Sequence, residues 1–300
     1  MSASRRHTLE ATAAGLLGGL ARVLPRSAAL GLGRALGGGW GRLDRRHLRI
    51  AEDNLRHAFP DWGAARRRAV ALGVYRHFGR VLLDILWMAR RERGTILRQV
   101  DVRGAEHVEA ARAAGRGALL VSAHVGNWEL HGLAHGWLFG AIGVIARPLD
   151  NPALDARLCD VRRRPGNTVI YKKRALPQVL RLLRENRAVA ILIDQNVQEG
   201  DGVFVDFFGR PAATTTVAAA LALKTGCALI PSHTELGEDG RYALVYEPPL
   251  AWTPSGDRAL DLKATTQRLT SAIEAWVRRR PEQWLWLHRR WKTRPADAAP

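Results

Sequence analysis

His124 and Glu129 stand five positions apart in the segment AHVGNWEL, residues 123–130, directly after the strand-like apolar run Ala118–Ser122. A neutral imidazole takes a proton from an alcohol near neutral pH, and a carboxylate on its other nitrogen fixes the tautomer and stabilises the imidazolium. The pair therefore supplies an oriented general base, and the chemistry it suggests is acyl transfer to a hydroxyl. In an unbroken helix a spacing of five turns the side chains apart, because helical neighbours are three or four residues apart. A strand-turn-helix junction removes that objection. Gly126 loosens the chain, Asn127 is a good N-cap for a helix over Trp128–Leu138, and Glu129 falls in its first turn. Both groups then lie near a helix N-terminus, whose free N–H groups favour developing negative charge. A His-x4-Glu pair is also common by chance, so the remaining sequence has to decide between a base and a packing histidine.

The elements that must position such a pair are visible as apolar runs. Ala118–Ser122, 141–145, Thr168–Tyr171, 188–193, 228–232 and Tyr242–Tyr246 read as strands, with helical stretches around Trp128–Leu138, Pro152–Arg163, 175–185 and 214–224 between them. Strands alternating with helices predict an α/β sandwich around a parallel or mixed central sheet flanked by helices. Residues 44–98 read as helices: RHLRIAEDNLRHAFPDW has apolar positions at helical spacing and stops at Pro60, and GAARRRAVALGVYRHFGRVLLDILWMARR resumes the pattern. Residues 9–43 are rich in Ala, Leu and Gly, carry Arg22, Arg26, Arg34 and Arg42 at intervals, and are divided by Pro25. The run 11–21 is well short of the roughly 20 residues that span a bilayer, and it lacks a secretory cleavage pattern. Two readings stay open here: amphipathic helices packed on the domain, or helices lying in the membrane interface with their arginines at phosphates. The resulting division is an N-terminal membrane-associating helical segment, residues 1–43, and a catalytic domain, residues 44–300.

The 300 residues include 46 basic and 28 acidic ones, a formal charge of +18, and all but five of the basic residues are arginine. Such a surplus implies an anionic partner, either nucleic acid or the phosphates of a membrane surface and its lipids. The planar guanidinium fork suits phosphate oxygens. Cys159 and Cys227 are too few for a disulfide framework and have no metal-ligand spacing, which permits a reducing compartment.

Four further constellations follow the first. GVIARPLDNPALD brings Arg147 to a strand end, with Asn151 and Pro152 starting a helix; ILIDQNV puts Asp194, Gln195 and Asn196 after an apolar run, where active-site loops of α/β proteins gather. DGVFVDFFGRPAATTT reads as an apolar, aromatic loop ending in threonines at a helix start. PEQWLWLHRRWKTRP interleaves Trp284, Trp286 and Trp291 with His288, Arg289, Arg290 and Lys292.

In this order, DNLRHAFP, HVGNWEL, ARPLDNP, DQN, VDFFGRPAATT and PEQWLWLHRRWK, between residues 51 and 294, resemble the lipid A biosynthesis acyltransferases of the lauroyl and myristoyl type, within the glycerolipid acyltransferase superfamily. The resemblance implies that superfamily's sandwich fold. It also implies transfer of a fatty acyl group from a carrier thioester, acyl carrier protein or coenzyme A, to a hydroxyl of a lipid A precursor at the cytoplasmic face of the inner membrane. His124 and Glu129 match the family's catalytic pair, and Arg147 an arginine that helps form the site. On this reading His124 removes the hydroxyl proton while Glu129 orients the imidazole. Nearby N–H groups or Arg147 stabilise the oxyanion, and Arg147 serves equally to bind an acceptor phosphate. Asn127, Asp194 and Gln195 complete the substrate-binding or oxyanion set. The thioester co-substrate is already activated, so neither a metal nor a cofactor is expected. The N-terminus matches least well, being Gly-rich and short.

Two rivals are weaker. His131 and His135 stand at i, i+4 as in a metal hydrolase, but Gly132 breaks the HExxH pattern and spacing supplies no third ligand. The basic, Trp-rich tail suits single-stranded nucleic acid, yet no recognised binding motif accompanies it, and the same mixture suits a membrane interface. The expected partners are a membrane lipid acceptor, the thioester donor and an anionic membrane surface, with no nucleic acid. A glycosylated phosphatidylinositol is the alternative acceptor, and the acyl length depends on a pocket that the sequence does not place.

Overall fold

The computed structural model describes residues 3–172 and 175–295; residues 1–2 and 296–300, at the ends of the two segments inferred from sequence, and residues 173–174 lie outside them. Five helices come first: α1 (Ala3–Val23), α2 (Arg26–Leu43), α3 (Arg45–Ala58), α4 (Ala64–Met88) and α5 (Arg93–Leu97). Then follow β1 (Val100–Arg103), α6 (Ala105–Ala113), β2 (Ala118–Ser122), α7 (Trp128–Leu138), β3 (Gly143–Ala146), α8 (Pro152–Arg163), β4 (Thr168–Tyr171), α9 (Ala175–Arg184) and β5 (Ala188–Leu192). A hairpin of β6 (Val203–Phe207) and β7 (Arg210–Thr214) precedes α10 (Val217–Thr225), β8 (Ala228–Leu236), β9 (Tyr242–Tyr246) and α11 (Arg258–Arg279).

Seven strands form one mixed sheet in the order β1-β9-β8-β2-β5-β3-β4. Five of them, β8, β2, β5, β3 and β4, run parallel, whereas β9 is antiparallel to β8 and parallel to β1. The predicted α/β architecture with a mixed central sheet is the observed one. Its centre is buried on both faces. Leu119 and Val121 of β2 join a core with Ile273 and Trp276 of α11, while Ala118 and Leu120 join another with Val108 of α6 and Ala134 of α7. A strand covered on both sides loses the polar alternation of a half-exposed one, which is why ALLVS reads as a continuous apolar run.

Two elements correct the sequence reading. The segment taken for an aromatic loop is the β6–β7 hairpin, turned by Phe208 at φ 57° and Gly209 at φ 72°. Positive φ at both central residues is the turn that matches strand twist, but Asn or Asp is the usual first residue, so Phe208 hides it. Glu274 holds that turn by accepting from the Phe208 N–H at 2.6 Å, and the Arg278 guanidinium lies 4.5 Å from the ring centroid. The second addition is α11, opened by Asp257, whose carboxylate accepts from the N–H groups of Ala259 and Leu260.

Pro25 separates α1 from α2, as its place in the sequence suggests. Helix α2 packs closely along α4, because Gly33, Gly37 and Gly41 form one face at four-residue spacing. A Cβ on Gly33 would sit 2.4 Å from the Gly79 carbonyl oxygen, and one on Gly37 2.1 Å from that of Tyr75. At the start of α2, Arg26 grips the fully buried Asp84 of α4 with two bonds of 2.9 Å. Exposed on α1 and α2 are Leu9, Leu16, Leu20, Val23, Leu36, Trp40 and Leu43. No helix among the described residues is long and apolar enough to cross a membrane.

Candidate active site

Strand register creates the site. Neighbouring parallel strands β2 and β5 pair Ser122 with Leu192, so the residue two positions beyond each partner, His124 and Asp194, emerges at the same edge of the sheet. The His124 Nδ1–H donates to Asp194 Oδ1 at 2.8 Å, and the His124 backbone N–H donates to Oδ2 at 2.9 Å. The indole N–H of Trp284 also reaches Oδ2, at 2.8 Å. Burial by itself would raise the Asp194 carboxyl, but the charge and hydrogen bonds of His124 outweigh it and hold the group well below the ordinary carboxylate range. With Nδ1 as donor, Nε2 carries the free lone pair. The His124 side chain is 20% exposed and that of Asp194 1%, so the base faces solvent while its orienting acid does not.

Gly126 lets the chain turn from β2 into α7. Its φ is +61°, and a Cβ there would lie 2.1 Å from the Thr234 carbonyl oxygen, so both conformation and space require glycine. Asn127 caps α7 as expected, its Oδ1 accepting from the Leu130 N–H at 3.0 Å. His77 of α4 donates through Nε2 to the Gly126 carbonyl at 3.2 Å and braces the loop from outside the sheet.

Glu129 does not reach the imidazole. Its carboxylate accepts from Arg162 of α8 twice, at 2.8 Å and 2.5 Å, and from the Trp128 indole N–H at 3.1 Å. The expectation that Glu129 orients His124 is therefore corrected: Asp194 occupies that place. The spacing rule that counted against a contact across five residues applies after all, because α7 begins at Trp128 and Glu129 lies on its inner flank, facing α8. Glu129 still touches the site through Trp128, whose ring meets that of His124 edge-on at 4.9 Å.

Two other site expectations, for Asn127 and Asp194, are corrected by position. Asn127 is fully buried: its side chain is committed to the cap and to Asp84 Oδ2 at 3.4 Å, and its backbone N–H donates to Thr234 Oγ1 at 2.7 Å, so it holds the loop rather than facing a substrate. Asp194 is a buried partner of the base and not a substrate ligand. Arg147 follows β3 at the same sheet edge but is exposed and paired with Asp150 at 2.7 Å, outside the His124 cluster. Gln195 is exposed immediately beyond Asp194. His131 and His135 lie in the core, with His135 Nδ1 2.7 Å from the Tyr246 hydroxyl.

The C-terminal motif closes the site from behind. Val125 and Trp284 form a bridge, Gly126 N–H donates to the Gln283 carbonyl at 2.9 Å, and Leu285 N–H donates to the His124 carbonyl at 3.1 Å. The buried Gln283 amide makes a reciprocal pair with the Leu236 backbone at 2.8 and 2.9 Å. Trp284, Gln283, Arg162 and His77 were not singled out as site-forming residues from sequence. For the first two the PEQWLW motif was a visible signal; Arg162 and His77 sit in ordinary helical patterns and carry none. The arrangement is that of a general base with a buried orienting carboxylate, open to a hydroxyl donor.

The model of the bacterial lipid A biosynthesis acyltransferase family matches residues 2–293. The chain is 32% identical over 278 residues to the lipid A biosynthesis lauroyltransferase of Escherichia coli K12, covering 91% of this chain and 88% of that protein. It is 32% identical over 223 residues to the phosphatidylinositol mannoside acyltransferase of Mycobacterium tuberculosis H37Rv, covering 71% and 67%. Similarity to the lipid A biosynthesis palmitoleoyltransferase of E. coli K12 is 27% identity over 255 residues, covering 84% and 80%.

Proposed function

The chain belongs to the bacterial lipid A biosynthesis acyltransferase family and is an acyltransferase, and from that premise we propose that it moves a fatty acyl chain from a carrier thioester to a hydroxyl of a lipid A precursor. The observation that carries the mechanism is the His124–Asp194 pair. The acceptor hydroxyl hydrogen-bonds to His124 Nε2. As its oxygen attacks the thioester carbonyl, the proton passes to Nε2, and the ionised Asp194 stabilises the imidazolium. Collapse of the tetrahedral intermediate breaks the C–S bond, and the departing sulfur takes the proton back, releasing the carrier thiol and the new ester. Within the first turn of α7 the Leu130 N–H is taken by Asn127, which leaves the N–H groups of Trp128 and Glu129 for the oxyanion. Glu129 positions Trp128 against the imidazole. Arg147 binds an acceptor phosphate, since an exposed ion pair such as that with Asp150 is worth only about 0–1 kcal/mol and yields to a better anion.

The donor is acyl carrier protein or coenzyme A thioester, and the place of reaction is the cytoplasmic face of the inner membrane. Supporting this seat are the charge of +18 and the exposed leucines and Trp40 of α1 and α2, a combination of apolar burial and phosphate attraction that holds a protein at an interface. A glycosylated phosphatidylinositol is the second acceptor reading, favoured by the mycobacterial relatives but over a smaller share of the chain.

The test is transfer by the purified protein from acyl carrier protein and coenzyme A thioesters of graded chain length to each acceptor in mixed micelles. Acylated lipid A precursor is expected, with loss in His124→Ala. Transfer to the phosphatidylinositol glycoside alone would move the assignment to that acceptor, and a folded protein acylating neither would overturn both.

A further inference from the structure

The basic C-terminal segment has one residue devoted to packing and several that are not. Arg290 is buried, donating to the Ala213 carbonyl at 2.6 Å and to Thr214 Oγ1, and so straps the tail to β7. Arg289, Lys292 and Arg294 instead line a cavity of about 460 Å³ together with Arg210 from the β6–β7 hairpin and His57 from α3, with Trp291 as a wall. None of Arg210, Arg289, Lys292 and Arg294 has an ion-pair partner among the described residues, and the cavity's one acid, Asp53, is held by Arg56 at 3.1 Å. His57 registers the surplus: burial, then the Arg210 and Arg56 guanidinium groups, lower it from its ordinary value. The buried indole N–H of Trp291 has no acceptor among the described residues. Cations from two distant parts of the sequence, gathered beside a single acid that is already paired, repel one another, and the fold is fastened by Arg290 without them. The cavity is also coupled to the site. Asn196, two residues after Asp194, exchanges bonds with Thr293 at 3.0 and 3.1 Å, between the cavity residues Lys292 and Arg294.

We propose that this cavity is an anion subsite that receives a phosphate group of a substrate of the transfer reaction. The assignment to a substrate rests on the acyl-transfer reading; the anion site does not. Guanidinium forks bind phosphate oxygens through paired, charge-assisted bonds. A volume of about 460 Å³ accommodates a phosphate ester or pyrophosphate, whereas a flat bilayer surface does not enter it. The phosphate belongs either to the thioester donor, whose pantetheine arm carries one, or to the lipid acceptor.

The probe is inorganic pyrophosphate, titrated by calorimetry into the full-length protein and into the double variant Arg210→Gln/Arg289→Gln. Saturable binding is expected, weakened at least about tenfold in the variant at unchanged melting temperature and weakened by salt. Steady-state assays should show a KM raised by a similar factor for one substrate at nearly unchanged kcat. A raised donor KM assigns the phosphate to the thioester, a raised acceptor KM to the lipid. Should the double variant not fold, Arg294→Gln and Lys292→Gln, both exposed, replace it. Equal pyrophosphate binding by wild type and variant, or its absence in an active enzyme, overturns the subsite. So does a variant defective only in binding phosphatidylglycerol vesicles, which would make the patch a membrane contact. Weakened pyrophosphate binding with both KM values unchanged overturns the assignment to a substrate. Pyrophosphate binding is read without turnover, so a protein that binds it but transfers no acyl group refutes the acyl-transfer reading and leaves the anion site standing.

Discussion

Glu129 and Arg162 close a two-bond ion pair between α7 and α8, at 2.8 and 2.5 Å, with both side chains largely shielded from water. The pair ties α7, the helix that follows the His124 loop, to the next crossover helix, and it withholds Glu129 from the imidazole. The two carboxylates near the site thus have different work: Asp194 holds the base, and Glu129 holds the framework and the Trp128 ring beside it.

Asp194→Asn should lower kcat at least about a hundredfold, since an amide no longer stabilises the imidazolium and can select the wrong tautomer. Combined with His124→Ala it should add almost nothing, because groups acting as a unit are not additive. Independent, multiplicative losses in this double-mutant cycle would detach Asp194 from the base.

Glu129→Ala leaves the Arg162 guanidinium buried and unpaired, and it should destabilise the fold by about 3–5 kcal/mol. Adding Arg162→Met removes the stranded charge and should restore most of that loss. Urea unfolding of the two variants measures both quantities, and a double variant as unstable as the single one would show that the ion pair is not the cause.

Stability should fall as the pH is lowered from about 6.5 towards 4. Burial lowers His77 to about 4 and His135 to about 3, and pushes His131 well below its ordinary value. These rings are neutral in the fold, whereas the unfolded chain protonates them, so the unfolded state binds more protons throughout that window. His77 alone contributes about 3 kcal/mol to this slope. His77→Gln keeps a donor for the Gly126 carbonyl and should flatten the pH dependence of the urea midpoint; an unchanged slope would exclude His77. Below that window Asp194 adds a further loss, because its depressed carboxyl stabilises the fold only while ionised.

Leu16, Val23 and Trp40 are 73%, 75% and 62% exposed on the outer faces of α1 and α2. Changing all three to Ser should weaken vesicle binding at least about tenfold without lowering the melting temperature, as expected for side chains that bury only in lipid. Gly37→Leu on the inner face should do the reverse, because its Cβ would overlap the Tyr75 carbonyl. If the triple Ser variant still binds vesicles normally, the membrane is met by another surface.

Much of the fold was legible because it is locally encoded. The bounds of β2, α7, α8, β4 and β9 follow from apolar runs, the Asn127 cap and the Asn151-Pro152 start, each read within a few residues. Other elements escaped for equally local reasons. Phe208 occupies a turn position where Asn or Asp is the usual signal, and the glycine face of α2 is a close-packing pattern that reads as mere Gly richness until α4 is beside it.

By itself the sequence determined that His124 follows a buried strand, that a capped helix comes next, and that the chain carries the motifs of an acyltransferase family. Which carboxylate would meet the imidazole was decided only by tertiary structure. Glu129 is five residues from His124 and turned away by helical geometry; Asp194 is seventy residues away and brought within 2.8 Å. The physical reason is the strand order. β5 inserts between β2 and β3, although β3 follows β2 in the chain, and no local periodicity specifies that insertion. Once it is made, the parallel register of β2 and β5 carries His124 and Asp194 to one edge, and side-chain chemistry completes the pair.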